Sequence, residues 1–196
     1  MGNYFWGEPV WILTQIFDLD GERNLPTWYS SMKLSFVAVL LFIVVMKKFS
    51  IENYKMWPLV LLPLIFFGLS ADEISQIHEY LGEKSDIFLT GGDRRTTFFS
   101  ETGIWMFLIG IPFTVLLVFL LFYFKSICNI DISIFKKFML GLFVFLLGAL
   151  GIEILSNIPL EHTNAYMVEV FFEELCEMIG VSIMLLASYD LFLFNR

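Results

Sequence analysis

Charged residues are scarce in this chain. Only 16% of its residues are Asp, Glu, Lys or Arg, whereas a soluble globular domain carries roughly a quarter. Hydrophobic residues make up 58% of the chain, and the mean hydropathy is +0.76. This balance excludes an ordinary soluble domain and predicts a chain that lies mostly inside a membrane.

Cysteine and histidine are also rare, with two of each. Cys128 falls in a predicted cytoplasmic loop and Cys176 near the outer end of the last apolar run, so they cannot form a disulfide within one chain. The sequence contains no glycine-rich phosphate loop, no catalytic triad, no His-Glu-x-x-His stretch and no Glu-x-x-His pair. The short motifs of nucleotide-binding proteins, hydrolases and zinc proteases are therefore missing.

Long apolar runs dominate what is present. Five runs of about 20 mostly apolar residues are each long enough for a membrane-spanning helix. They cover approximately residues 28–46, 57–77, 104–124, 138–157 and 174–194. We predict an all-α polytopic membrane bundle of five transmembrane helices, forming a single membrane domain over residues 1–196. Gly141, Gly148 and Gly151 predict close packing of span 4 against a neighbouring helix.

Basic residues indicate the orientation of these spans, because cytoplasmic loops carry an excess of Lys and Arg. "KKFSIENYK" between spans 1 and 2 and "KSICNIDISIFKK" between spans 3 and 4 each contain three lysines. We expect a multi-pass protein of the bacterial inner (cytoplasmic) membrane, with a periplasmic or extracellular N-terminus and a cytoplasmic C-terminus. Residues 1–27 then form an extracytoplasmic segment, in which "EPVWILTQIFDL" predicts an amphipathic helix at the interface.

Acidic residues concentrate on the outer side in this orientation. That side holds 17 of the 20 acidic residues and only five of the 12 basic ones. Such a surface attracts cations and repels the phosphates of nucleic acids, so no nucleic-acid partner is expected. The expected partners are the lipid bilayer and either other membrane subunits or further copies of this chain.

Carboxylates from three predicted helices reach a similar depth near the outer membrane edge. This acidic layer consists of Glu73 near the end of span 2, Glu153 near the end of span 4, and Glu173, Glu174 and Glu177 around the start of span 5. At about 1.5 Å per residue, the layer lies on the order of 5 Å below the edge. Ionisable groups at such depths usually face a bundle interior or a wet cavity.

Span 5 carries the sharpest pattern. Glu169, Glu173 and Glu177 are spaced four apart, so they form one stripe on one helix face. Like charges at this spacing repel, and the repulsion is relieved by a bound cation, by protonation or by bases from neighbouring helices. Lys33, inside the outer end of span 1, is either a buried counter-ion for these acids or a side chain that snorkels to the interface.

Both histidines are predicted on the outer side beside the acidic layer. At 100° per residue, Asp72 and Glu79 share one face of a continuous span 2, with His78 turned toward the other side. Imidazoles next to several carboxylates suit a divalent metal ion such as Zn, Mn or Fe. We predict the metal ligands Glu73, His78, Glu153, Glu173 and Glu177, with Glu174 and Asp72 as supporting or acid–base groups. His162 is a weaker candidate, and a polar network without any ligand is the open alternative.

The same residues carry a resemblance. An Asp-Glu-x4-His-Glu stretch, which includes Asp72 and His78, closes one span, and a Glu-Glu-x2-Glu-Met-x-Gly stretch beginning at Glu173 opens a later one. In this pairing the chain resembles a set of uncharacterised bacterial polytopic membrane proteins. The resemblance implies no activity, but it favours treating both stretches as one site.

Three functions remain open at this point. The leading hypothesis is a metal-binding pocket at the outer leaflet, with the metal activating water or oxygen against a hydrophobic or lipid-borne substrate. The alternative is a non-catalytic subunit of a larger membrane complex, whose acids pair with bases of its partners. The third is a cation or proton path, which the near absence of ionisable groups in the inner halves of the helices disfavours.

Overall fold

The structure, a computed structural model, describes residues 10–17, 24–49, 54–89, 99, 102–157 and 163–194. Every regular element in these ranges is a helix, and no strand occurs among them. The prediction of an all-α fold is confirmed. The loops that hold Arg94, Arg95 and His162 lie outside the described residues.

Seven α-helices occur in the described ranges. They are α1 Trp11–Phe17, α2 Leu25–Lys48, α3 Leu61–Ser75, α4 Ile77–Ser85, α5 Ile111–Cys128, α6 Ile132–Leu146 and α7 Thr163–Phe194. Shorter helical turns extend several of them. The 3₁₀ turns are Tyr54–Val60, Asp86–Phe88 and Glu153–Asn157, and the π-helical segments are Met106–Gly110 and Leu147–Ile152.

Four helical segments of the described chain are long and apolar enough to cross a membrane. They are Leu25–Lys48, Lys55–Ser75, Met106–Cys128 and Ile132–Leu155. They correspond to the first four predicted spans and support a membrane protein. The fifth predicted span lies within the 32-residue α7, which is not one of these four, so the count of five is not confirmed. A helix, α1, forms within the predicted amphipathic segment. Its position at a membrane interface stays a prediction.

Local polar side chains fix where the helices begin and turn. The Asn24 side chain accepts a hydrogen bond from the Thr27 N–H at 2.8 Å and caps α2, and Asp131 caps α6 through the Ser133 N–H at 2.7 Å. Asn129 adopts the left-handed conformation, with φ 48°, at the end of α5. Only residues 129–131 separate α5 from α6, and Phe122 on α5 packs against Phe135 on α6 with ring centroids 5.0 Å apart.

The core is densest in the half of the bundle that contains the lysine-rich loops. In α5, Leu117, Leu120, Leu121 and Phe124 are all buried. The outer part of the same span is different, because its buried residues there are Met106 and Gly110, whereas Val115 is 63% exposed. This pattern indicates that α5 packs into the core at its inner end and leaves space beside it at its outer end.

Hydroxyl groups join the N-terminal part of α2 to the C-terminal part of α3. Ser31 Oγ donates to the Ser70 carbonyl and Ser70 Oγ donates to the Ser31 carbonyl, both at 2.8 Å, and the Ser35 and Ser70 hydroxyls are 2.7 Å apart. Such hydrogen bonds replace the hydrophobic driving force that is missing between helices in lipid. They fix the last two turns of α3, which carry Asp72 and Glu73.

Glycines bring α6 and α7 into backbone contact. A Cβ added at Gly141 would lie 2.7 Å from the Met184 nitrogen, and one added at Gly180 would overlap the Phe145 backbone. The predicted close packing of span 4 is confirmed at Gly141. Gly151 differs from that prediction, because it faces the Leu147 side chain of its own helix. Only residues without a side chain allow two helix backbones to approach this closely.

Polar contacts also join the helices at the end of the bundle that holds Lys48 and Lys137. Lys137 on α6 forms an ion pair with Asp190 on α7. The Lys48 ammonium donates to the Cys128 carbonyl at 2.7 Å and thereby satisfies the end of α5. Cys128 and Cys176 are both free, as predicted.

We expect Gly180→Ala to lower the thermal unfolding temperature of the detergent-solubilised protein. The added Cβ overlaps the Phe145 backbone, and forcing helices apart in a packed core costs about 1–3 kcal/mol. Gly68→Ala is the matched control, because a Cβ there meets no atom within 4 Å. Equal unfolding temperatures for the two variants would contradict the proposed helix contact.

Candidate functional site

A cavity of about 490 Å³ opens between the helices at the end of the bundle that holds Glu73 and Glu153. Its walls come from α3 and α4, from the π-helical segment and first turns of α5, from the end of α6 with its π-helical segment, and from α7. This volume lies within the range of ligand sites, roughly 300–1,000 Å³. The space corresponds to the region where α5 leaves the core.

All seven residues predicted for the site line this one cavity. They are Asp72, Glu73, His78, Glu153, Glu173, Glu174 and Glu177. We call them the acidic half of the cavity. Each is partly buried, so each is reachable from the cavity while its charge is shielded from bulk water. The structure thus brings them together, and their roles as ligands or acid–base groups stay predictions.

A break in the helix puts His78 beside Asp72. The sequence pattern predicted one continuous helix, with these side chains on different faces. Instead α3 ends at Ser75, and Gln76 adopts the left-handed conformation with φ 54°. The turn directs the His78 N–H to Asp72 Oδ1 at 2.8 Å and places His78 Nδ1 3.0 Å from Asp72 Oδ2. The facial assignment of His78 was wrong because it assumed an unbroken helix.

The Asp72 carboxylate orients the His78 imidazole. When Nδ1 carries the proton, it donates to Asp72 and leaves Nε2 as the basic nitrogen. Carboxylates support metal-binding and proton-transferring histidines in this way. The Trp105 ring, with its centroid 5.6 Å from that of His78, packs against the imidazole and restricts it further.

Glu153 is held at the cavity by a π-helical segment and a tryptophan. It directly follows the segment Leu147–Ile152, and its Oε1 accepts a hydrogen bond from Trp105 Nε1 at 3.3 Å. Trp105 itself directly precedes the other π-helical segment, Met106–Gly110. Single π-helical turns occur frequently at functional sites. Trp105 was not predicted, because a tryptophan at the end of a span is ordinary at a membrane interface.

The glutamates of α7 depend on the glycine contact for their position. A Cβ at Gly148 would lie 2.7 Å from the Glu173 carbonyl and 2.8 Å from Glu177 Cγ. The absence of a side chain at Gly148 therefore lets this part of α7 approach α6. Glu169, the third member of the predicted stripe, is buried but does not line the cavity.

The carboxylates of the acidic half repel one another. The charge of Glu177 interacts with those of Glu73, Glu174, Glu173 and Glu153, all of the same sign. Repulsion between like charges is stronger where water is partly excluded. The acidic half therefore favours any cation that enters it.

Lys33 lies close to the acidic half but does not line the cavity. The residue is 3% exposed, and its ammonium donates to the Met178 carbonyl at 2.8 Å and to Ser182 Oγ at 3.2 Å. Its charge also interacts with that of Glu73. Lys33 therefore does not snorkel to the interface, and the hydrogen bonds just given hold its ammonium on α7.

The carboxylates are not arranged as a ready metal site. Among the residues that the structure describes, no group of three or more His, Cys, Asp or Glu side chains is placed to hold a metal ion. His162 and the Glu79 side chain, also considered from the sequence, lie outside the described residues. A metal ion in this cavity would have to draw its ligands together.

The deeper wall of the cavity is apolar. We call this wall the apolar half, and it consists of Ile65, Leu69, Ile109, Phe113, Phe145, Leu146 and Ala149. Thr114 also lines it, and its hydroxyl oxygen is buried without a hydrogen-bond partner in the described part of the chain. A buried hydroxyl without a partner costs free energy unless a ligand or water satisfies it. The apolar half was not predicted from the sequence, because its residues resemble ordinary packing residues.

Comparison with known families places these observations in a wider group. The family described as "Domain of unknown function (DUF8692)" matches residues 5–192. The chain belongs to this family. No curated protein and no solved structure matches this chain. Membership of a family without an assigned function agrees with the resemblance to uncharacterised membrane proteins.

We expect Asp72→Ala to lower the thermal unfolding temperature, because it removes the acceptor of the His78 N–H at the start of α4. Losing such a cap costs about 0.5–2 kcal/mol. Asp72→Asn keeps an oxygen acceptor and should recover most of the loss. Glu83→Gln, an exposed change on α4, is the control. An Asp72→Ala variant as stable as that control would show that the cap is unimportant.

Proposed function

We propose that this protein is a cation-binding membrane protein, whose acidic half takes up a divalent metal ion such as Zn, Mn or Fe at the outer leaflet. The observation that carries the proposal is the collection of seven ionisable side chains around one cavity. Ionisable groups at membrane depth are costly and mark ion or substrate sites by default. One shared cation relieves the repulsion among several carboxylates at once.

Ligand roles follow from the positions of the side chains. Glu173 and Glu177 lie one turn apart on α7 and are the primary ligands, since both face the charges of the other acids. Glu73, Glu153 and His78 complete the set from three other helical segments. Rotation of flexible glutamate side chains brings the ligands together, and this step is required because they are not drawn together beforehand.

The chemistry would be metal-assisted. A divalent ion lowers the pKa of bound water and polarises carbonyl or phosphoryl oxygens of a substrate. Asp72 holds the His78 ring, so the pair can also transfer a proton, and Glu174 lines the same cavity. We propose a hydrophobic or lipid-borne substrate, because the remaining wall is apolar.

A positively charged organic group is the second candidate ligand. The observation that favours it is the spread of the carboxylates, which do not converge on one metal position in the described residues. An ammonium group does not need ligands near 2 Å, and Trp105 and Tyr166 in the cavity wall offer aromatic faces for a cation. The protein would then bind or carry a cationic compound rather than a metal ion.

We further propose that α7 provides the fifth crossing and that the chain lies in a bacterial inner membrane with its N-terminus outside. The separation of charges along the bundle supports this orientation. The acidic half lies at one end, whereas Lys48 and Lys137 make their contacts at the other. Basic residues favour the cytoplasmic side.

Purified protein is expected to retain a divalent transition metal, measured by elemental analysis. Glu173→Gln and Glu177→Gln should each reduce metal affinity by about tenfold or more, because each removes a charged ligand. Glu83→Gln, exposed and outside the cavity, should leave it unchanged. A chelator should lower the unfolding temperature of the wild type more than that of Glu177→Gln.

The outcomes separate the two ligands. Protein without metal that is stabilised by an alkylammonium compound, in a manner sensitive to Glu177→Gln, supports the organic cation. Protein that responds to neither ligand, or equally in Glu83→Gln and Glu177→Gln, contradicts cation binding in this cavity.

Reporter fusions test the orientation. Fusions after Ser50 and after Asp131 should report a cytoplasmic location, because both sites adjoin lysine-rich segments. A fusion after Lys84 should report the outer side. A periplasmic signal at Ser50 or Asp131 would overturn the orientation and place the acidic half at the cytoplasmic leaflet.

A further inference from the structure

The apolar half extends well below the acidic half. Ile65 precedes Glu73 by eight residues, and Phe145 precedes Glu153 by eight. At about 1.5 Å per residue, these side chains lie roughly 12 Å deeper along their helices. The cavity is therefore a deep pocket with charge near its mouth and hydrocarbon side chains toward its base.

The base of this pocket is closed by the core. Phe66 is fully buried one residue after Ile65, and Leu117 is buried one turn beyond Phe113. Phe66 also packs edge-on against Phe138, with ring centroids 5.8 Å apart. The pocket thus ends where the bundle becomes densely packed, so it does not continue as a channel through the described helices.

The side of the pocket is open between α3 and α5. α3 packs mainly on α2 and only sparingly on α5. Gly68 on α3 lines the cavity, and a Cβ there would meet no atom within 4 Å. On α5, Ile111 and Val115 are exposed. In a bilayer, an opening between these helices would be filled from the membrane rather than from water.

We propose that the apolar half holds the hydrocarbon chain of a single-chain amphiphile, which enters sideways between α3 and α5 with its head at the acidic half. This inference rests on the proposed function, because it names the substrate class of the same site. Three observations carry it together: the apolar base, the charged mouth and the gap on the lipid side. The volume of about 490 Å³ matches one ligand of moderate size.

Photo-crosslinking tests the proposal directly. The probes are hexadecylamine and hexadecanoic acid, each carrying a diazirine midway along the chain, added to the full-length protein in lipid nanodiscs. Irradiation followed by peptide mass spectrometry should place cross-links on the apolar half, at Ile65, Phe113 or Phe145, and excess unlabelled probe should suppress them. Cross-links confined to lipid-facing residues such as Val115 and Phe119 would overturn the proposal.

Two substitutions that each introduce a leucine sharpen this test. Gly68→Leu fills open space inside the cavity and should reduce cross-linking of the apolar half by about tenfold or more. Ala71→Leu lies on the same helix, is exposed and does not line the cavity, so it should leave cross-linking unchanged. Thermal unfolding checks that both variants fold. Unchanged labelling in Gly68→Leu, or an equal loss in both, contradicts chain binding.

The two head groups of the probes, an amine and a carboxylic acid, distinguish failure of this inference from failure of the proposed function. Labelling by the acid that requires added Zn²⁺ or Mn²⁺ supports a chain held under a metal ion. Labelling by the amine in the presence of a chelator supports the same chain under an organic cation, without a metal. Metal retention without labelling of the apolar half by either probe overturns the chain inference and leaves metal binding standing.

Discussion

Backbone contact between α6 and α7 is the constraint on which the rest of the site depends. Gly141, Gly148 and Gly180 remove the side chains that would separate the two helices, and small residues are the usual means of close packing in lipid. Glu173 and Glu177 lie on the part of α7 that packs directly against Gly148. Their position is therefore set by a contact between helices and not by a flexible loop. Ligand sites built on rigid elements hold their geometry best.

Electrostatic cost explains why the acids share one cavity. A charged side chain at the centre of a bilayer costs about 3 kcal/mol on insertion scales, and whole proteins are stable by only about 5–15 kcal/mol. Several separate charges facing lipid would consume most of that stability. A common polar cavity lowers the cost for all of them, and a nearby fixed cation, Lys33, offsets part of the remaining negative charge.

The grouping of Glu73, Glu153 and Glu173 at one end of the helices could be predicted from the sequence, because hydropathy locates the apolar runs that these residues adjoin. The residues that face them across the cavity could not be predicted in this way. The left-handed turn at Gln76 and the two π-helical segments arise from tertiary packing and leave little trace in composition, so the contacts of His78 and Trp105 were missed. The apolar half was missed because isoleucine and phenylalanine look alike whether they line a cavity or a packed core.

The two walls of the cavity are held in different ways, because Gln76 interrupts the helix on one side in the left-handed conformation. The wall formed by α6 and α7 is backed by direct contact of two backbones, and low compressibility is typical of such packing. The wall formed by α4 is a helix of nine residues. It is joined to α3 through Gln76, which adopts a sparsely populated conformation. The two hydrogen bonds between Asp72 and His78 hold it in place. One side of the cavity is therefore held by direct contact between two helix backbones, and the other by a single left-handed residue and two hydrogen bonds.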